Sequence, residues 1–167
     1  MSEQTHSCRI ARLPGECVLE FASFAWPSAD LGEPDWPCAP GAVRRDGAQR
    51  ALLLHFGPGR WLVPDPGSEI RALLDSAAGA GRGTIVEVTG KYEQLSILGS
   101  GATRLLASGI DVEAVLRSRE CAALALFDCP AVIVRVPDGY ALWVQSSYET
   151  DFVTTAERFR MMLEDSP

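Results

Sequence analysis

A glycine-rich turn is the part of this sequence whose residue types and spacing come nearest to a ligand-binding motif. Residues 92–107 (YEQLSILGSGATRLLA) predict a strand, a turn at Gly99 and Gly101, and then a helix. Amide groups at the start of a helix can hold a phosphate. However, a dinucleotide-binding turn needs a third glycine where this chain has Arg104, and a phosphate loop needs a lysine after the turn, whereas the only lysine, Lys91, precedes it. We therefore favour a tight strand–helix junction packed against a sheet.

The other residues that could carry chemistry form no convincing catalytic set. Ser96 lies in an apolar strand, and the chain contains no G-x-S-x-G nucleophile motif. His55 points to the same face of its predicted strand as an apolar neighbour, Leu53, which favours a structural histidine over a general base. Glu87 and Glu93 are predicted on neighbouring strands, where they could form a carboxylate pair or simply be solvated. The sequence therefore assigns no catalytic or cofactor-binding residue.

Cysteine and histidine usage argues against a metal site and against disulfides. The five cysteines are odd in number and scattered without a C-x-x-C spacing, at positions 8, 17, 38, 121 and 129. Only two histidines are present to complete a metal site or a Cys–His pair. We expect reduced, structural thiols and no metal-binding residue.

The composition indicates a globular protein and excludes some partners. The chain has 167 residues, of which 47% are hydrophobic, and carries a net charge of −7. A nucleic-acid-binding face needs a basic stripe, which this acidic composition disfavours. No apolar run approaches the roughly 18 residues that span a bilayer. We expect a cytoplasmic protein with no nucleic-acid or membrane partner.

A hairpin followed by a helix is predicted twice, about 80 residues apart. Residues 51–64 predict two strands joined by a turn, with Gly59 at the turn position that needs positive φ. Residues 67–78 predict a helix. Residues 131–144 repeat the hairpin, and residues 149–163 carry apolar side chains at helical spacing. This repeat predicts a duplicated α+β architecture of roughly eight strands and three substantial helices, in which each half buries a sheet face under its own helix.

The domain boundaries follow from the composition along the chain. We expect a flexible N-terminal segment at residues 1–15 and a single α+β domain at residues 16–167. The glycine-rich residues 79–83 predict the joint between its two halves. Trp26 and Trp36 lie in or beside a proline-rich irregular segment, and they either fold back on the core or form an interface with a partner.

Several of these segments resemble the sarcosine oxidase gamma subunit family. The run G-P-G-R-W-L-V-P at residues 57–64 is similar to that family's G-P-x-x-W-L element. Residues 84–112, residues 117–126 and residues 140–148 resemble its later strands and helix. The resemblance covers roughly residues 50 to 160, and the N-terminal third matches poorly.

The resemblance implies a fold like the folate-binding fold of the glycine-cleavage aminomethyltransferase, with duplicated ferredoxin-like halves whose antiparallel sheets pack against helices. It implies a non-catalytic gamma subunit of a heterotetrameric sarcosine oxidase, which oxidatively demethylates sarcosine to glycine. The alpha, beta and delta subunits would be the partners. Flavins, NAD and tetrahydrofolate are expected on those subunits, with no cofactor on this chain. One alternative is a stand-alone folate-binding-like module, in which Arg60 or Arg104 would bind the glutamyl tail of the ligand. The other is a small one-carbon transferase.

Overall fold

Two five-stranded antiparallel sheets and four helices make up an α+β fold in the computed structural model, which describes residues 7–14, 17–24, 36–48 and 50–164. The strands are β1 (Arg9–Arg12), β2 (Val18–Ser23), β3 (Val43–Arg45), β4 (Ala51–Gly57), β5 (Arg60–Pro64), β6 (Gly83–Glu87), β7 (Tyr92–Leu98), β8 (Cys121–Leu126), β9 (Cys129–Val136) and β10 (Gly139–Gln145). The helices are α1 (Ser68–Gly79), α2 (Ala102–Ala107), α3 (Val112–Val115) and α4 (Glu149–Glu164). No helix of these described ranges is long and apolar enough to cross a membrane.

Local sequence patterns account for most of these elements. Both predicted hairpins form, as β4–β5 and β9–β10, and Gly59 has the positive φ of 63° that its turn position requires. The helix α4 buries Phe152 and Ala156, as its helical spacing predicts, but Met162 at its end is exposed. The helix α2 spans the predicted residues.

The two sheets pack face to face and leave their outer faces to the helices. One sheet, called sheet A, has the strand order β1-β7-β10-β9-β8, and the other, called sheet B, has the order β3-β4-β5-β2-β6. Between them lies a shared apolar layer that contains Leu54 and Leu62 of sheet B and Val132 of sheet A. The helix α1 covers the outer face of sheet B, while α2, α3 and α4 cover the outer face of sheet A. The molecule is therefore a four-layer sandwich.

The two sheets share one connectivity. Strands β2 to β5 of sheet B correspond in order and neighbours to β7 to β10 of sheet A, and α1 and α4 follow at equivalent points. The fifth position is filled by β6 in sheet B and by the N-terminal strand β1 in sheet A. This correspondence is what a duplicated architecture requires. The finer prediction of ferredoxin-like halves stays a prediction, because residues 25–35 lie outside the described residues.

Residues 79–83, where the sequence predicts the joint between the halves, connect the end of α1 to β6. Gly81, with φ of 69°, ends α1 in a Schellman motif, in which its N–H and that of Arg82 bond the Ala78 and Ala77 carbonyls. The chain then continues in β6, which still belongs to sheet B. It passes to sheet A only at the short 3-10 turn Thr89–Lys91. Gly81 therefore serves the end of a helix. The point at which the chain changes sheets is set by long-range strand pairing, which local glycine content does not reveal.

The N-terminal segment that the sequence predicts to be flexible contains a strand. Residues Arg9–Arg12 form β1, which pairs antiparallel with β7. Arg12 then binds the buried carboxylate of Glu149 at the start of α4, with 2.7 Å between its Nε and Oε1. The strand was missed because R-I-A-R carries too little apolar alternation to predict one.

Glu20 of β2 ties the two sheets together at one end of the shared layer. Its carboxylate accepts hydrogen bonds from Arg60 of β5 at 2.7 Å, from Tyr92 of β7 at 2.8 Å, and from Lys91. Burial raises the pKa of Glu20, but the hydrogen bonds from Lys91, Tyr92 and Arg60 outweigh it and hold the pKa below its ordinary value. The ionised form of Glu20 therefore stabilises the fold.

We expect Glu20→Gln to lower the free energy of unfolding by about 1–3 kcal/mol at neutral pH, because charge-assisted hydrogen bonds are lost. The folded-state pKa is lowered, so this contribution is complete above the unfolded-state pKa of about 4.3 and is lost as the pH falls through the folded-state value. Denaturant unfolding of the unmodified protein and of Glu20→Gln between pH 7 and pH 3 measures how far their free energies of unfolding converge. Glu87→Gln is the matched control, because the exposed Glu87 carboxylate accepts only from the Thr89 hydroxyl among the described residues. A difference in the free energy of unfolding that stays constant with pH would contradict the role given to Glu20.

Candidate functional site

The glycine turn between β7 and α2 requires a glycine at its first glycine position. Gly99 has a φ of 111°, and a Cβ atom at this position would lie 2.5 Å from the carbonyl oxygen of Ser7. Gly101 has an ordinary helical backbone, with φ of −87°, so only the first glycine is required by its φ. The turn thus needs a glycine because the segment before β1 passes directly against it.

Three amides of this turn donate to carbonyl groups of the same chain. Gly99 N–H donates to Asp138 at 2.9 Å, Gly101 N–H donates to Ser7 at 3.1 Å, and Ala102 N–H donates to Gly99 at 3.0 Å. A phosphate would have to displace these bonds, and α2, with six residues, adds little helix dipole. The geometry supports the strand–helix junction that the sequence favours.

An open groove of about 420 Å³ lies beside the turn and contains a polar network. Arg135 binds the Glu113 carboxylate through both terminal nitrogens, at 3.0 and 3.2 Å. The Tyr140 hydroxyl donates to Glu113 at 2.9 Å and lies 2.9 Å from the Thr103 hydroxyl. Hydrogen bonds from Arg135 and Tyr140 lower the pKa of Glu113, while burial raises the pKa of Tyr140. The charge of Arg135 is thus balanced by Glu113, and the Tyr140 hydroxyl stays protonated. The network links α2, α3, β9 and β10, and it supplies no base or nucleophile.

His55 is structural, as its alternation predicts. It lies on the face of β4 that carries Leu53, is fully buried, and stacks on Trp61 with 4.4 Å between ring centroids. Burial lowers the pKa of His55, so its imidazole is neutral at physiological pH.

Glu87 and Glu93 do not lie on neighbouring strands, and of their two alternatives the structure favours solvated carboxylates. Glu87 lies in β6 of sheet B and Glu93 lies in β7 of sheet A, and these strands belong to different sheets. Both side chains are exposed. Consecutive strands usually pair, and here the chain changes sheets between them. The two carboxylates therefore form no acid–base pair.

Trp36 takes the first of its two predicted alternatives and folds back on the core. Its side chain is 5% exposed and packs against Phe21 and Trp61, with ring centroids 5.9 and 5.2 Å away. It is not available at the surface as an interface residue. Trp26, the other candidate interface residue, lies outside the described residues.

The two arginines proposed for an anionic ligand are far apart in the architecture. Arg60 of β5 is paired with Glu20, while Arg104 lies on the exposed side of α2, which covers the other sheet. The described residues contain no group of three or more His, Cys, Asp or Glu side chains that could hold a metal ion.

Sequence reasoning missed the polar residues that lie between the sheets. Glu20 lies within a strand whose neighbours alternate apolar and polar, and its importance comes from Lys91 and Tyr92, about 70 positions away. Gln94 and Trp143 face each other on β7 and β10, and this pairing depends on register. A half-buried carboxylate or amide on an inter-sheet face leaves no local signal beyond a polar residue in an apolar strand.

Comparison with solved structures gives a match over almost the whole chain. A chain of "Heterotetrameric Sarcosine Oxidase from Corynebacterium sp. U-96 in complex with pyrrole 2-carboxylate" superposes with a TM-score of 0.75 at 15% identity, covering 98% of this chain and 88% of that chain. The chain therefore shares that fold. At this identity the likeness speaks for the fold alone.

The remaining comparisons add no assignment. A Vibrio cholerae protein of unknown function, described as a possible transport protein, has a TM-score of 0.37 at 12% identity, covering 92% of this chain and 91% of that one, which is too low to carry an argument. No protein-family model and no curated protein matches the sequence.

We expect Gly99→Ala to destabilise the protein by at least about 1–2 kcal/mol, because a side chain at positive φ is strained and its Cβ meets the Ser7 carbonyl. Thermal and denaturant unfolding measure the change. The matched control is Gly79→Ala at the end of α1, where a Cβ meets nothing within 4 Å and alanine is the better helix former. Equal stability of Gly99→Ala and the unmodified protein, together with lost nucleotide binding, would instead identify the turn as a ligand site.

The cysteines should differ sharply in reactivity. All five are free, and burial raises the pKa of Cys121 to about 12, whereas Cys38 is exposed. Because the thiolate is the reactive form, we expect iodoacetamide at pH 8 to modify Cys38 in the folded protein and Cys121 only after unfolding. Peptide mass spectrometry reads out each site, and comparable rates at the two sites would show that β8 opens readily.

Proposed function

We propose that this chain is a non-catalytic subunit of a heterotetrameric sarcosine oxidase, equivalent to the gamma subunit. The observation that carries the proposal is the fold match over 98% of this chain and 88% of a chain of such an enzyme. The match therefore spans nearly all of this chain and most of that one. The resemblance of residues 50–160 to the gamma subunit family supports the same assignment.

The chemistry of the described side chains favours a supporting role. Arg135 is neutralised by Glu113, Glu20 is bound by three donors, and His55 is buried against Trp61. In this proposal the alpha, beta and delta subunits hold flavins, NAD and tetrahydrofolate, and this chain stabilises their assembly in the cytoplasm. Sarcosine demethylation then belongs to the complex, and sarcosine catabolism and one-carbon metabolism are its setting.

A docking surface for a partner subunit is offered by the outer edge of sheet B. Phe24, 71% exposed, directly follows β2, and Val86, 50% exposed, lies in β6, the strand that pairs with β2 at this edge. Contiguous exposed apolar patches mark protein–protein contacts. We propose that these two side chains belong to such a contact with a subunit of the proposed oxidase.

The assembly can be tested by co-expression with the alpha, beta and delta chains of a sarcosine oxidase from the same genome, with an affinity tag on this chain. We expect the three chains to co-elute with this one, with flavin absorbance and sarcosine oxidation in the eluate. The chain purified alone should be colourless. Flavin retained by the isolated chain, or no complex with the three subunits, would overturn the proposal.

A paired variant tests the docking surface. Phe24→Ser with Val86→Thr removes apolar surface while keeping the β-propensity of position 86, and it should reduce co-elution at least tenfold. Met161→Gln, at an exposed methionine of α4, is the control and should leave co-elution unchanged. Both proteins should first be shown to unfold like the unmodified chain. Loss of assembly in the control alone would move the interface to α4.

A further inference from the structure

A cavity of about 230 Å³ lies on the inner face of sheet A, where that sheet packs on sheet B. Its apolar walls include Val134, Val136 and Ala141 of sheet A and Pro64 at the end of β5. Since a water molecule takes about 30 Å³ of liquid volume, the cavity has room for about seven waters or one small organic molecule. It is separate from the groove beside the glycine turn, which lies at the β9–β10 turn and α2.

Two polar side chains in the cavity lining have unsatisfied hydrogen-bonding atoms. Trp143 is 2% exposed, and its indole N–H has no acceptor among the described residues. Gln94 is half-buried, and its side-chain oxygen is itself buried and has no donor among the described residues. The two residues face each other across β7 and β10, so their Cβ atoms are about 5 Å apart. Buried polar groups are normally satisfied, so an N–H donor beside an oxygen acceptor indicates a complementary occupant.

The charges at the mouth of the cavity determine which net charge a bound molecule can have. Arg50 lines the mouth, but its guanidinium binds Asp46 at 3.2 Å and Asp65 at 2.8 Å. One positive and two negative charges leave this cluster formally at −1. A carboxylate or phosphate is therefore disfavoured, and a neutral molecule fits best.

We propose that this inter-sheet cavity binds a small neutral molecule with an apolar body and an amide group. The amide carbonyl accepts the Trp143 N–H, and the amide N–H donates to the Gln94 side-chain oxygen. The apolar body lies against Val134, Val136 and Ala141. Primary amides and lactams have this pair of neighbouring groups. The proposal concerns this chain alone and is independent of its assembly with other subunits.

The test is a nuclear magnetic resonance titration of the isolated, nitrogen-15-labelled chain with benzamide. Each of the four tryptophans gives an indole N–H signal, and Trp143→Phe identifies that of Trp143. We expect this signal to shift saturably, with a dissociation constant on the order of 1 mM. Trp36, whose indole N–H also has no partner among the described residues but lies in the α1-side core, is an internal control that should not move.

Matched probes and variants decide what holds the molecule. Benzoate has the same shape with a negative charge and toluene lacks the polar group, so both should bind at least tenfold more weakly than benzamide. Gln94→Leu should weaken benzamide about tenfold, and Ala141→Leu should fill the cavity and abolish binding. If Gln94→Leu fails to fold, the titration and Ala141→Leu still decide. An unmoved Trp143 signal, benzoate or toluene binding as tightly as benzamide, or water that benzamide does not displace would overturn the proposal.

Discussion

The apolar layer between the two sheets is the contact on which the rest of the structure depends. Leu54 and Leu62 of sheet B meet Val132 and Trp143 of sheet A in this layer, and all four are almost completely buried. Strand side chains alternate between faces, so each sheet then has a second apolar face that needs its own cover. The helix α1 covers one of these faces, and α2, α3 and α4 cover the other. Four layers follow from sheets that are apolar on both faces.

The shared connectivity of the sheets explains why the N-terminal strand and the glycine turn depend on each other. Sheet B fills its fifth position with β6, the strand after α1, whereas sheet A takes β1 from the other end of the described chain. To reach that edge, the segment before β1 passes the start of α2, where the Ser7 carbonyl accepts the Gly101 N–H. Gly99 has no room for a side chain because of this passage. A motif that resembles a phosphate loop is thus a consequence of the sheet's closure by β1.

Much of the local structure could be predicted from the sequence, and the errors concern long-range pairing. Apolar spacing located α4 and both hairpins, and alternation placed His55 on the Leu53 face. Which strands share a sheet is decided by contacts between distant residues, so Glu87 and Glu93 were wrongly predicted on neighbouring strands. The candidate site suffered most, since Gln94 and Trp143 become neighbours only through the register of β7 and β10.

The way this chain uses its polar side chains separates its structural network from the place where a ligand could act. Glu20, Glu113 and Glu149 each bind an arginine from another element, so their charges hold layers together. A group that already has a partner must lose it before it can bind a substrate, which costs free energy. The inter-sheet cavity differs, because Trp143 and Gln94 have polar atoms that meet no partner among the described residues. Ligand chemistry is therefore most favourable between the sheets, where binding would break no contact that the described fold already makes.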